Sequence, residues 1–126
     1  MLKQAIVAAK APPAVGPFAA AVRANGFIYI SGQIGLDPKT GKLLVSGIEK
    51  QTEQVFANLR AILDAADKGF ADVVRAGVYL TDLANFQVMN AIYAKYITAP
   101  FAARTTIGVA ALPLGAIVEI DLVVMD

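Results

Sequence analysis

The dipeptide Asn25-Gly26 constrains this chain more than any other feature of its sequence. A two-residue type I′ turn needs positive φ at both central positions, and Asn-Gly adopts it at little cost. Phe27-Ile-Tyr-Ile-Ser31 follows with strand composition, so the turn predicts a hairpin with strands at about 18–24 and 27–34. A hairpin this early commits the chain to a sheet with antiparallel strands. The segment before it, with Pro12, Pro13, Gly16 and Pro17, offers few backbone donors and reads as an irregular loop.

The period then changes from two to about 3.6. Ser46-Gly-Ile-Glu49 has capping-box spacing, and Ile48, Val55, Leu59, Ile62, Leu63 and Ala66 recur at helical intervals, predicting a helix over 47–66. Residues 72–80 are rich in β-branched and aromatic side chains and read as a third strand. A second helix, capped by Asp82 or Asn85, has Phe86, Met89, Asn90, Tyr93 and Ile97 on its inner face and is ended by Pro100. Residues 104–111 and 116–124 read as two last strands joined around Leu112-Pro-Leu-Gly115. The order ββαβαββ predicts one α+β folding unit over residues 1–126, with both helices on one face of the sheet.

That arrangement leaves the other sheet face uncovered, and here composition bears on the argument. The chain has 126 residues, of which 57% are hydrophobic. A domain this small buries only about two-thirds of its surface, so part of the apolar surplus is expected in a subunit interface. Zero Cys and zero His exclude disulfides, thiol nucleophiles, Cys/His zinc sites, Ser-His-Asp triads and imidazole bases. Catalysis, if present, uses Asp, Glu, Lys, Arg, Tyr, Ser, Thr or backbone groups. A net charge of +1 without a Lys/Arg cluster argues against nucleic-acid and anionic-membrane partners. The longest charge-free run, residues 105–118, is too short to span a bilayer and contains Pro113 and Gly115. A cytosolic protein is the expectation.

Candidate chemistry gathers in the last two strands. With a two-residue turn at Pro113-Leu114, Gly108 faces Glu119 and Arg104 faces Val123, so Arg104 and Glu119 share a face, offset by about 13 Å along the strands. A guanidinium suits a carboxylate held bidentately, and a neighbouring Glu suits general-base activation of water. The same pattern also describes an Arg and a Glu on a strand's wet face. Asn90 is a polar residue on an apolar helix face, either a ligand contact or a structural amide. Gly32, in Ser31-Gly32-Gln33, marks a close approach to backbone or a β-bulge. Tyr29, Tyr79, Tyr93 and Phe56 read as core or interface aromatics, and Lys50 and Lys68 as solvated charges.

Taken together, Val15-Gly-Pro-Phe18, Tyr29-Ile-Ser-Gly-Gln-Ile34, Val78-Tyr-Leu-Thr-Asp82, Met89-Asn90 with Tyr93, Ala103-Arg-Thr-Thr-Ile-Gly-Val-Ala-Ala-Leu-Pro113 and Val118-Glu-Ile120 resemble the RidA/YjgF family in order and register from about Ala11 onward. The resemblance implies a chorismate-mutase-like fold assembled as a homotrimer with ligand clefts between subunits. It also implies hydrolytic deamination of 2-enamino and 2-imino acids, such as 2-aminoacrylate and 2-iminopropanoate, to 2-keto acids and ammonia, with no metal or organic cofactor. A binding or sensing protein for small carboxylic or keto acids in the same cleft is the alternative.

By the same resemblance Arg104 is the carboxylate anchor and Glu119 the acid that activates or orients water, while Ser31, Gly32, Asn90 and Thr106 line the cleft. Phe18 stands where deaminating members carry a Tyr, in Gly16-Pro-Phe-Ala-Ala20 rather than Gly-Pro-Tyr-Ser-Gln. The implied wall is more apolar there.

Overall fold

The computed structural model describes residues 2–126. Its strands are β1 (Gln4–Ile6), β2 (Ala21–Ala24), β3 (Phe27–Gln33), β4 (Val73–Leu80), β5 (Ala103–Gly108) and β6 (Val118–Met125), and its helices are α1 (Ile48–Ala65) and α2 (Phe86–Tyr96). Asn25 and Gly26 adopt φ of 51° and 83°, and Ala24 pairs with Phe27 across the turn, as the Asn-Gly signal requires. The six strands form one mixed sheet in the order β1-β2-β3-β6-β4-β5.

The two sheet faces differ as period-two alternation dictates. Val118, Ile120, Leu122 and Val124 of β6 are buried with Ile28 and Ile30 of β3 and Ala76, Val78 and Leu80 of β4, and all belong to one apolar core with Val55, Phe56, Leu59, Ile62 and Leu63 of α1. Phe56 stacks on Tyr96 at a centroid distance of 4.5 Å and meets Tyr93 edge-on at 5.9 Å, which joins α1 to α2. The opposite face has no helix against it. Phe27, Tyr29, Ile107 and Met125 project there and are 40–50% exposed, which is where the apolar surplus goes.

Three expectations fail. The predicted β5–β6 hairpin does not form: β5 pairs in parallel with β4 at the sheet edge, and β6 lies antiparallel between β3 and β4. A β4–α2–β5 unit needs a crossover, and a crossover joins parallel strands. Leu112-Pro-Leu-Gly115 is accordingly not a tight hairpin turn but part of a connection that carries the chain past β4. Secondly, Gln4–Ile6, taken as loop, pairs with β2. Thirdly, Gly47 rather than Ser46 caps α1, without a side-chain hydrogen bond. Of the two caps expected for α2, Asn85 takes the N-cap position without a side-chain hydrogen bond, and Asp82 caps the single 3-10 turn before it by accepting from the Ala84 amide at 2.9 Å. The strand at 18–24 begins at Ala21, and α2 ends at Tyr96, four residues before Pro100.

Two buried amides on α1, seven residues apart, fasten the connection between β3 and α1. Asn58 donates to the carbonyls of Ile34 (3.1 Å) and Leu36 (2.9 Å). Gln51 donates to the Leu44 carbonyl at 3.1 Å and accepts from the Ile117 amide at 3.1 Å. Asn58→Leu leaves the Leu36 carbonyl without a donor and the Ile34 carbonyl with the Leu36 amide alone, so it is expected to lower stability by about 1–3 kcal/mol, read as a lower urea midpoint at unchanged m-value.

Candidate active site

β3 carries a bulge. Ile30 pairs with Leu122 and Gln33 with Ile120, so Ser31 and Gly32 together stand opposite Asp121. The extra residue lets the Glu119 side chain lie directly against Gly32: a Cβ at Gly32 would sit 2.8 Å from Glu119 Cδ. Only glycine leaves room for that carboxylate. Ser31 Oγ donates to the Ala19 carbonyl at 2.6 Å, and its amide to Ala20 at 2.9 Å, which draws the segment carrying Phe18 against the strand.

These constraints shape a cavity of about 430 Å³ with Glu119, Gly32 and Gln33 on its polar side. Its remaining wall is apolar and includes Pro12, Val15, Phe18, Ile34, Leu36 and Leu114. Glu119 is half-buried there. Burial holds its carboxyl above the usual carboxylate range, and the negative charge of Asp121 pushes it in the same direction. A carboxylate in this state accepts a proton from water more readily than a solvated one does.

Arg104 belongs to a second group of residues. In the parallel β4–β5 register it stands beside Ala76, and Thr106 stands beside Val78. Ala76 and Val78 face the helices, and so do their partners. The Arg104 guanidinium carbon lies 4.6 Å from the centre of the Tyr93 ring and 5.6 Å from that of Phe86, a geometry that orients the planar cation and leaves its edges for an anion. Phe86, Asn90 and Tyr93 are spaced by four and three on α2, which puts Asn90 between the two rings on the same helix face. The hydroxyls of Thr106 and Tyr93 are buried and have no hydrogen-bond partner among the described residues. Burial raises the Tyr93 phenol, an effect the Arg104 charge opposes.

The expected single-chain bracket of Arg104 and Glu119 is therefore overturned. Glu119 pairs with Tyr79, and Arg104 pairs with Ala76, three residues away on the same strand. An odd separation puts them on opposite faces. The predicted site residues divide: Glu119, Gly32 and Phe18 meet at the cavity, Arg104, Thr106 and Asn90 gather beneath α2, and the Ser31 hydroxyl is committed to its tether. The sequence reading missed the apolar wall from Pro12 to Val15, and Gln33; its reading of Tyr93 as a core or interface aromatic holds, and the same ring also lies against Arg104. The spacing of Asn90 and Tyr93 on the Phe86 face carried a signal for that contact.

Comparison with known proteins matches the chain and its fold to a single family. The family model described as Endoribonuclease L-PSP matches residues 8–125. The chain is 46% identical over 119 residues to the Reactive Intermediate Deaminase A, chloroplastic, of Arabidopsis thaliana, covering 94% of this chain and 64% of that protein. It is 42% identical over 126 residues to the 2-iminobutanoate/2-iminopropanoate deaminase of Homo sapiens, covering 100% of this chain and 92% of that one. The crystal structure of RidA from an Antarctic Psychrobacter superposes with a TM-score of 0.93 at 44% identity, covering 98% of this chain and 99% of that one.

Proposed function

Because this chain belongs to the RidA/YjgF family, matched over residues 8–125 and shared with relatives named as a reactive intermediate deaminase and a 2-iminobutanoate/2-iminopropanoate deaminase, we propose that it hydrolyses 2-imino acids, and the enamines that tautomerise to them, to 2-keto acids and ammonia. The observation that carries this reading is the half-buried Glu119 carboxyl, pressed against Gly32 at the polar side of an otherwise apolar cavity. Arg104 takes the substrate carboxylate through its two parallel N–H groups. Glu119 removes a proton from water as the oxygen adds to the imine carbon, and the C=N electron pair goes to nitrogen. Glu119 returns the proton to that nitrogen to give a carbinolamine, then takes the hydroxyl proton and passes it to the amino nitrogen; the freed O–H electron pair closes the ketone while the C–N pair leaves with the nitrogen as ammonia. Gly32 and Thr106 shape the cleft, and Asn90 and Phe18 line it.

Arg104 and Glu119 lie on opposite faces of one sheet, so this chemistry needs the Arg104 group of one copy beside the Glu119 cavity of another. A homotrimer closed through the uncovered sheet face supplies that arrangement and buries Phe27, Tyr29, Ile107 and Met125. Light scattering is expected to give three chains per particle. A stable monomer at micromolar concentration would rule out the shared cleft.

The direct test is ammonia or keto-acid release when the protein is added to an amino-acid oxidase that generates imines in situ. Release faster than in buffer is expected. A rate equal to buffer favours the second reading, a small-carboxylate binding protein, for which the missing phenol at Phe18 is the supporting observation. Gly32→Ala is expected to displace the Glu119 carboxylate and lower imine turnover by about tenfold or more with the fold retained, since the clash falls on the end of a flexible side chain. No helix among the described residues is long and apolar enough to cross a membrane. A cytosolic address is our reading from the sequence; the Arabidopsis relative is named chloroplastic.

A further inference from the structure

Glu119 is not the only carboxylate on the uncovered face of β6. Asp121 follows two residues later on the same side of the strand, roughly 7 Å along it. The two carboxyls are held differently. Tyr79, on β4, stands opposite Glu119 in the register, yet its hydroxyl reaches diagonally and donates to Asp121 Oδ2 at 2.8 Å. Gly77 makes this possible: a Cβ there would lie 2.5 Å from Asp121 Oδ1 and 2.8 Å from the Tyr79 hydroxyl oxygen. Glycine thus appears twice, Gly32 admitting one carboxylate and Gly77 the other.

We propose that Asp121, tethered by the Tyr79 hydroxyl over Gly77, is a positioning residue that fixes Glu119 as the proton-accepting member of a carboxylate pair. The inference rests on the reading of Glu119 as the group that activates water. Where two like charges share a site and one receives a hydrogen bond that favours its charged form, the proton goes to the other. Asp121 has such a donor, and Glu119 has no side-chain hydrogen bond among the described residues. The direction agrees with the phenol, which the bond to Asp121 holds above its ordinary range, and with Glu119, raised first by burial and then by Asp121. The other ionisable groups on this face are Tyr29 of β3 and Arg75 of β4. Arg75 is engaged by the Thr105 hydroxyl at 3.0 Å, and Tyr29 stands beside Val123 rather than Glu119.

The tether predicts more than a structural role would. Asp121→Asn keeps an oxygen for the Tyr79 hydroxyl but removes the charge, so the titration midpoint of Glu119 is expected to move to lower pH. The acid limb of kcat/KM in the imine assay should move with it. Tyr79→Phe keeps the charge but removes the tether that holds it in place, and should give a smaller move in the same direction. The chain has three glutamates, so carboxyl-carbon NMR resolves Glu119, identified by the signal lost in Glu119→Gln, and follows its titration whether or not the protein turns over substrate. An unchanged Glu119 midpoint in Asp121→Asn overturns the proposal. If the midpoint moves while the acid limb of the rate stays in place, the carboxylate coupling stands and the assignment of Glu119 as base falls instead.

Discussion

Glu119→Gln is expected to lower imine turnover by about 10²–10⁴, the range for loss of a positioned acid–base group, while leaving carboxylate binding within about twofold of the parent. The amide matches the carboxyl in size and remains against Gly32, so the cavity keeps its shape. What disappears is the capacity to take a proton from water and return it to the leaving nitrogen. The elevated carboxyl also fixes the sign of two pH effects. With Glu119 as the proposed base, turnover needs the ionised form, so the rate is expected to rise with pH through the titration of Glu119, above the usual carboxylate range. Stability runs the other way. A carboxyl raised by burial costs the folded state nothing while protonated, and the cost appears as pH rises from the unfolded-state value through the raised folded-state value. Above that window Glu119→Gln should therefore unfold at the same or a higher denaturant concentration than the parent. Equal imine turnover by the two proteins would place water activation elsewhere.

That trade between stability and chemistry has its origin in local sequence, only part of which is legible. Asn25-Gly26 fixed the first hairpin because two adjacent positive-φ positions admit few residues. The α1 and α2 faces were legible because a helix buries one stripe, and the stripe repeats in the sequence. The neighbour of β5 was not legible. Residues 103–108 and 118–125 alternate as strands should, and Leu112-Pro-Leu-Gly115 is chemically a good turn, so every local signal agreed with a hairpin that does not exist. What decides the pairing is the crossover through α2, which makes β5 the parallel neighbour of β4 and displaces β6 to the other side of β4.

The same error propagated into the site. With a hairpin, Arg104 and Glu119 share a face, and one chain forms a complete cleft. With β4 between them, Ala76 and Tyr79 set the faces of their neighbours, and the odd separation of those two residues sends the guanidinium and the carboxylate to opposite sides. The residue types were legible from the resemblance, but their division between two surfaces was not, because sheet order is a property of the whole chain. The Ser31 hydroxyl shows a related limit. Its place in the motif suggests a ligand contact, but a short side chain beside an exposed carbonyl bonds to it first, here Ala19.

The guanidinium is where the divided site is most exposed to test. Arg104→Lys is expected to weaken binding of pyruvate, used as a small carboxylate probe, by roughly 10–100-fold, the equivalent of one charge-assisted hydrogen bond. The charge survives, but two features do not. An ammonium offers no pair of parallel N–H groups to a carboxylate, and it cannot lie flat on Tyr93 at 4.6 Å with Phe86 alongside at 5.6 Å. The aromatic rings hold the guanidinium in one orientation before the ligand arrives, so its loss removes preorganisation as well as contacts. Isothermal calorimetry separates this from misfolding if it is paired with light scattering, since Arg104 is not one of the apolar side chains that the proposed trimer would bury. Arg104→Lys should remain assembled, bind weakly and turn over imines slowly at low substrate concentration. Unchanged pyruvate affinity in an assembled Lys variant would mean that Arg104 only packs against α2, and that the anion is held by some other group.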